Sequence, residues 1–357
     1  MIARVLVALL AVATAAFGQR VAAARLSAGG HILSDGTCDA AGQPAFTGQS
    51  RATDPNAPPG VYLGVWQPGV PDDMSQLDAF ERDAGTSVAI VMLWNDWAGN
   101  GTLDVAGLCA IADRGAVPLI TWMPTDWQGA DPSTYSLNSI IAGKHDDYIT
   151  DWARQLANYG GPVLLRFAHE MNGDWYGWAN RNGNTPAQYV AAWQRVHDIF
   201  VEQGASNVQW VWSPNVADDS AVDFAPYYPG DSDVDWVALD GYNRGPQIWR
   251  WFTQIFGSSY DQLTKLSSKP VMIAEVSTSE ALPQQAALDD TKAKWITSAF
   301  TDEIPHRFPA IRAVVWFNED KSGEENGGYD WRIESSRAAQ RAFSRAAASS
   351  YIWTSWP

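Results

Sequence analysis

The chain has 357 residues and a formal net charge of −16, from 24 Lys and Arg against 40 Asp and Glu. So acidic a chain repels nucleic acid and anionic lipid, which leaves a neutral or cationic partner and excludes a nucleic-acid binder. Two cysteines, Cys38 and Cys109, exclude a thiolate metal cluster, while 19 tryptophans give far more flat apolar surface than a chain of this length usually carries.

Met1 to Ala24 carries Arg4, the apolar run Val5 to Phe17 and small-residue cleavage candidates at Ala13-Thr14-Ala15 and Ala22-Ala23-Ala24. This reads as a secretory signal peptide over 1–24, too short in its apolar run for a membrane span; an uncut N-terminal anchor is the alternative. Removing it takes away Arg4 and Arg20 and no acid, so the charge of the mature chain goes from −16 to −18. The expected product is a secreted, extracellular monomer with no membrane attachment. Residues 25–59 are rich in Gly, Ala, Ser, Asp and Pro without apolar periodicity, and read as a flexible leader. In an oxidising compartment Cys38 of that leader can bridge to Cys109, or Cys109 can be a small buried hydrophobe on its helix.

From residue 60 to the C-terminus, apolar strands alternate with helical patterns. The strands are Val61–Trp66, Val88–Trp94, Val117–Trp122, Val163–Phe167, Val208–Trp212, Trp236–Leu239, Val271–Ala274 and Ala313–Trp316. Helical spacing covers Met74–Ala84, Leu103–Arg114, His145–Tyr159, Pro186–Gln203, Ile248–Leu266, Asp289–Ile304 and Ser335–Ala347. Strict alternation implies parallel βαβ units, and eight of them close into a single-domain (β/α)8 TIM barrel of the α/β class. Only the loop Ser213–Asp233, after the fifth strand, lacks a helix.

Active sites of such barrels sit at the C-terminal ends of the strands. The fourth strand runs into Arg166-Phe167-Ala168-His169-Glu170-Met171-Asn172-Gly173-Asp174-Trp175, and the seventh ends on Glu275. Trp94, Trp122, Asn215, Asp240, Tyr242, and Trp316 with Asn318 arrive at the same face. Arg166 shares strand parity with Glu170 and is expected to point inward below it, either orienting an acid or forming a structural ion pair. Two acids, several rings and few cations suit a neutral polyol, so the expected partner is a polysaccharide. Trp122, Trp316 and Asn172 are taken as candidate substrate contacts. His169-Glu170 lacks the second histidine of a zincin, Trp236 stands where a calcium loop beginning at Asp231 needs glycine, and no Gly-X-Ser-X-Gly elbow is present. No metal and no cofactor is expected.

The run His169-Glu170-Met171-Asn172-Gly173, followed by Trp175 and Trp178, resembles the acid/base motif of glycoside hydrolase family 26, the β-mannanase family. Trp210 to Asn215, Tyr228 to Asp231, Asp240 to Asn243 and Ala274 to Ser277 extend the resemblance. It implies a retaining hydrolase with Glu170 on strand 4 as general acid/base and Glu275 on strand 7 as nucleophile. It also implies that His169, Trp175 and Tyr242 line the subsite where the bond breaks. The stretch Trp175-Tyr176-Gly177-Trp178 departs from the Trp-Phe-Trp-Trp common in mannanases, and the wording around Glu170 is similar to members that cut mixed-linkage β-glucan. The expected activity is therefore endo-hydrolysis of β-1,4 bonds, first in β-mannan and alternatively in β-1,3-1,4-glucan. A barrel that binds polysaccharide without cutting it, and a transglycosylase, are the other readings.

Overall fold

The computed structural model describes Cys38 and residues 60–98, 103–127, 129, 133–217, 221–245, 248–280, 291–324 and 328–357. The expected signal peptide and, apart from Cys38, the expected leader lie outside the described residues. Eight parallel strands form a closed barrel: β1 (Val61–Trp66), β2 (Ile90–Asp96), β3 (Val117–Met123), β4 (Val163–Phe167), β5 (Val208–Trp212), β6 (Trp236–Asn243), β7 (Val271–Thr278) and β8 (Ile311–Phe317). β1 closes the ring by pairing with both β2 and β8. The fold is a (β/α)8 TIM barrel, as the alternation of patterns implies.

The helices are α1 (Ser75–Ala84), α2 (Val105–Ala112), α3 (Leu137–Ile141), α4 (Asp146–Tyr159), α5 (Pro186–Glu202), α6 (Phe252–Leu266), α7 (Lys292–Ser298), α8 (Ile304–Arg307) and α9 (Arg337–Ala347), with a π-helical turn Ala299–Glu303 joining α7 to α8. The start of α5 is specified locally. Thr185 caps it, Pro186 occupies the first turn, and Gln188 completes a reciprocal capping box. Between β5 and β6 the described residues hold only a 3-10 turn, Ala225–Tyr227. The unit without a helix is thus the one whose sequence shows no helical period.

Alternation along each strand divides two apolar layers. Tyr62, Ile90, Met92, Leu119, Leu164, Val211, Ala238, Met272 and Val315 fill the barrel interior. Their neighbours Leu63, Val91, Ile120, Trp122, Leu165, Trp212, Leu239, Ile273 and Trp316 pack outward under the helices.

Two features tie down the ends. Cys38 is bonded to Cys109 on α2, with Cα atoms 5.6 Å apart, so the bridge left open by the sequence is present. At the C-terminus a short strand missed by the sequence reading, β9 (Ile352–Trp353), pairs with β1. It carries Trp356 to within 4.6 Å of the Tyr62 ring and 6.3 Å of the Trp236 ring, closing the barrel floor. Gly60 is required there: a Cβ would lie 2.3 Å from the Trp353 indole.

Candidate active site

Within β4, Val163-Leu164-Leu165 is a buried run that ends on Arg166-Phe167, after which the backbone leaves regular geometry. Ala168 (φ 44°) and Glu170 (φ 51°) are the positive-φ non-glycine residues among those described. Left-handed backbone costs such residues on the order of 1 kcal/mol each, so the surroundings must hold them there. They do so through hydrogen bonds: the Ala168 amide donates to Trp122 O (3.1 Å) and the Glu170 amide to Ser213 O (2.7 Å). The double turn brings His169 and Glu170 to the barrel mouth one after the other, which regular alternation would not allow.

β7 delivers Glu275 by another irregularity. The β6–β7 register shifts between Leu239 and Asp240, and that of β7–β8 between Ile273 and Val276, so Glu275 lies opposite Asp240. Arg166 stands between these acids, fully buried. Its Nη1 donates to Asp240 Oδ1 (3.0 Å), its Nη2 to Glu275 Oε1 (2.5 Å) and its Nε to Thr121 Oγ1 (2.9 Å). Although burial opposes its charge, Asp240 and Glu275 more than compensate and hold the guanidinium firmly protonated. The Tyr242 hydroxyl donates to the second oxygen, Glu275 Oε2. Burial and the Glu275 charge keep that phenol far above its ordinary pKa, so it stays a donor.

Glu170 has a different environment. Its Oε2 accepts from Trp175 Nε1 at 2.6 Å, a neutral donor. Burial, then the nearby Glu275 charge, pushes its pKa to about 8. Gly173 makes the contact possible, since a Cβ there would meet the Trp175 ring at 2.6 Å. His169 is fully buried, its Nε2 3.1 Å from the Tyr176 hydroxyl and 4.0 Å from Glu275 Oε1. Burial, reinforced by Arg166, lowers its pKa well below the usual value, so the imidazole is neutral.

The structure brings Arg166, His169, Glu170, Trp175, Tyr242 and Glu275 together; three other expected contacts lie elsewhere. Trp122 follows inward-facing Thr121, so it points outward, fully buried against Trp152 and Tyr148. Trp316 precedes inward-facing Phe317 and packs against Phe343 and Trp295 under the helices. Asn172 is buried with its amide spent on loop backbone: Nδ2 donates to Asn215 O (2.9 Å) and Val222 O (3.2 Å), and Oδ1 accepts from the Asn215 amide (2.9 Å). The aromatic wall comes instead from Trp66, Trp94, Phe317 and Tyr242 at inward strand ends, joined by Tyr329 and Trp331 from the loop after β8. Inward parity of Trp66 and Phe317 is the available signal; nothing local marks Tyr329 or Trp331.

A parallel barrel with paired acids, a buried arginine and an aromatic wall at its C-terminal mouth has the layout of a barrel enzyme with an acidic active site. The family model for Glycosyl hydrolase family 26 matches residues 122–308, more than half of the sequence. The chain belongs to that family. It is 33% identical over 314 residues to Endoglucanase H of Acetivibrio thermocellus, covering 84% of this chain and 32% of that protein. It is 30% identical over 187 residues to a mannan endo-1,4-beta-mannosidase of Bacillus subtilis strain 168, covering 50% of this chain and 45% of that protein. The chain thus spans a third to a half of the length of these curated relatives. A GH26 β-mannanase from Bacteroides ovatus superposes with a TM-score of 0.58 at 18% identity, over 82% of this chain and 90% of that one, a likeness of fold.

Proposed function

We propose that the chain is a secreted, monomeric, retaining endo-β-glycanase that hydrolyses β-1,4 bonds of a neutral polysaccharide, with β-mannan as first substrate. The observation that carries this reading is the unequal treatment of two carboxyls at one mouth. Glu275 is held by the Arg166 guanidinium and the Tyr242 hydroxyl, whereas Glu170 sits against an indole N–H with its pKa raised to about 8. An acid that keeps its proton beside a charge-paired carboxylate is the division of labour that double displacement needs. Glu275 attacks the anomeric carbon as the glycosidic C–O bond breaks, and the Glu170 proton passes to the leaving oxygen. Esterification removes the charge on Glu275, so the pKa of Glu170 falls. Glu170 then takes a proton from the water that attacks the same carbon and releases Glu275. His169, Trp175 and Tyr242 line the reacting subsite, and Arg166 orients Glu275. Secretion rests on the N-terminal apolar run.

The mannan assignment is supported by the mannan endo-1,4-beta-mannosidases among the relatives. A β-glucan, mixed-linkage included, is the second reading, because Endoglucanase H is similar over most of this chain. Linear mannan and mixed-linkage β-glucan digested side by side, with product sizes read out, decide between them. For the mechanism, Glu275→Ala abolishes turnover, and azide restores it with inverted stereochemistry. Glu170→Ala still accepts substrates with good leaving groups, and azide speeds its second step. Wild-type activity on polymer in either variant overturns the roles.

A further inference from the structure

Lys292, the first residue of α7, is fully buried and the described residues show no ion pair for it. Its Nζ donates to two backbone carbonyls, Asp330 O (3.1 Å) and Arg332 O (2.7 Å). The carbonyl between them, Trp331 O, accepts from Ser277 Oγ on β7 (2.8 Å) and from Trp316 Nε1 on β8 (3.0 Å). On the other side, the Trp331 amide donates to Glu319 O (2.9 Å) and the Ile333 amide to Asn318 Oδ1 (2.7 Å). Three successive carbonyls are therefore held by buried side chains from three elements, at one point of a long loop. Burying an ammonium is costly, and packing alone would be served as well by an apolar side chain. Only a hydrogen-bond donor satisfies both carbonyls.

The side chain fixed by this arrangement is Trp331. Its ring lies 5.2 Å from that of Tyr242, whose hydroxyl donates to Glu275. We infer that Lys292 is a positioning residue for the reaction: with Ser277 it locks the backbone of Trp331, and the Trp331 ring sets the Tyr242 hydroxyl on the attacking carboxylate of Glu275. This rests on the reading of Glu275 as nucleophile. It also accounts for Trp316, whose indole serves the same carbonyl from outside the site.

The test compares Lys292→Met and Ser277→Ala, alone and combined with Tyr242→Phe, by kcat and KM on an aryl β-glycoside with a short glycone. Misplacing a reacting group by about 1 Å costs roughly a hundredfold, so a loosened lock lowers kcat/KM about tenfold or more in Lys292→Met and several-fold in Ser277→Ala. Because both act through the Tyr242 hydroxyl, neither lowers kcat/KM further once that hydroxyl is gone. Wild-type kcat/KM in the single variants, or losses that multiply with that of Tyr242→Phe, overturns the inference. If Lys292→Met does not fold, Ser277→Ala carries the same comparison. Glu275→Ala is measured alongside: its activity at wild-type level overturns the reading of the site, whereas an inactive Glu275→Ala beside unaffected Lys292 and Ser277 variants overturns this inference alone.

Discussion

Replacing Glu170 by Gln should make the protein more stable at neutral pH and leave its stability unchanged in acid. In the folded chain Glu170 keeps its proton up to about 8, because burial and the Glu275 charge disfavour its ionised form; unfolded, it ionises near 4.5. Between those values the native state binds one proton more than the unfolded state, so stability falls as pH rises through this window. Each pH unit is worth about 1.4 kcal/mol, so at pH 7 the native carboxyl costs about 3 kcal/mol relative to a side chain that cannot ionise. The introduced carboxamide would keep an acceptor for Trp175 Nε1 at the same place and remove the titration. At about 2 °C per kcal/mol for a domain of this size, Glu170→Gln melts roughly 6 °C higher than wild type at pH 7 and within about 1 °C of it at pH 4. Thermal melts followed by tryptophan fluorescence at the two pH values read this directly. Equal differences at both pH values, or a variant less stable at pH 7, would refute the argument that burial holds the proton on Glu170.

The same proton sets an alkaline limit on activity: kcat/KM should fall about tenfold per pH unit above roughly pH 8, and the limb should vanish in Glu170→Ala assayed with an activated aryl leaving group. At the opposite end of the barrel, Trp356→Ala removes the ring stacked near Tyr62 and Trp236 and should cost about 3–5 kcal/mol, read as a lower melting temperature with KM unaltered. A raised KM there would place the tail nearer the site than the floor position described.

The sequence carries the barrel through short apolar runs and helical period. The buried run Val163-Leu164-Leu165 and the three- to four-residue spacing in Tyr189, Ala192, Trp193, Val196 and Phe200 are local signals, and the described elements follow them. β6 and β7 run four residues beyond their expected ends, because Asp240-Gly241-Tyr242-Asn243 and Glu275-Val276-Ser277-Thr278 break the apolar pattern while continuing the hydrogen-bonded ladder. Asn172 is drawn away by loop-backbone hydrogen bonds, whereas the two tryptophan errors share one physical origin. Position near a strand end points Trp122 and Trp316 at the substrate, yet a shift of one residue turns a side chain from the mouth to the helix layer. Parity is unreliable in the other direction too: His169 follows the positive-φ Ala168 and Glu275 a shifted register, and each reaches the mouth where alternation would turn it outward. Trp331 and Trp356 reach their places by tertiary hydrogen bonds and a tail docked on β1, contacts distant in sequence.

Burial and the distribution of charge explain why Glu170 holds its proton. Three buried carboxyls, Glu170, Asp240 and Glu275, share the mouth with the buried Arg166 guanidinium, and Arg244 stands over the Tyr242 ring. Arg166 touches two of them, Asp240 at 3.0 Å and Glu275 at 2.5 Å, while the hydrogen-bond donor to Glu170 is a neutral indole. Burial raises Asp240 as well, with Arg166 opposing that rise at contact distance and the Ser213 hydroxyl donating to it at 2.8 Å. Burial disfavours several negative charges beside one buried guanidinium, and Glu170, which Arg166 does not touch, has its pKa raised to about 8. His169 adds no further cation, because the same burial and the same arginine keep it uncharged. A motif that places an acid one residue after a buried histidine therefore names the candidate acid, and the arginine four residues earlier marks the acids it pairs with, Asp240 and Glu275.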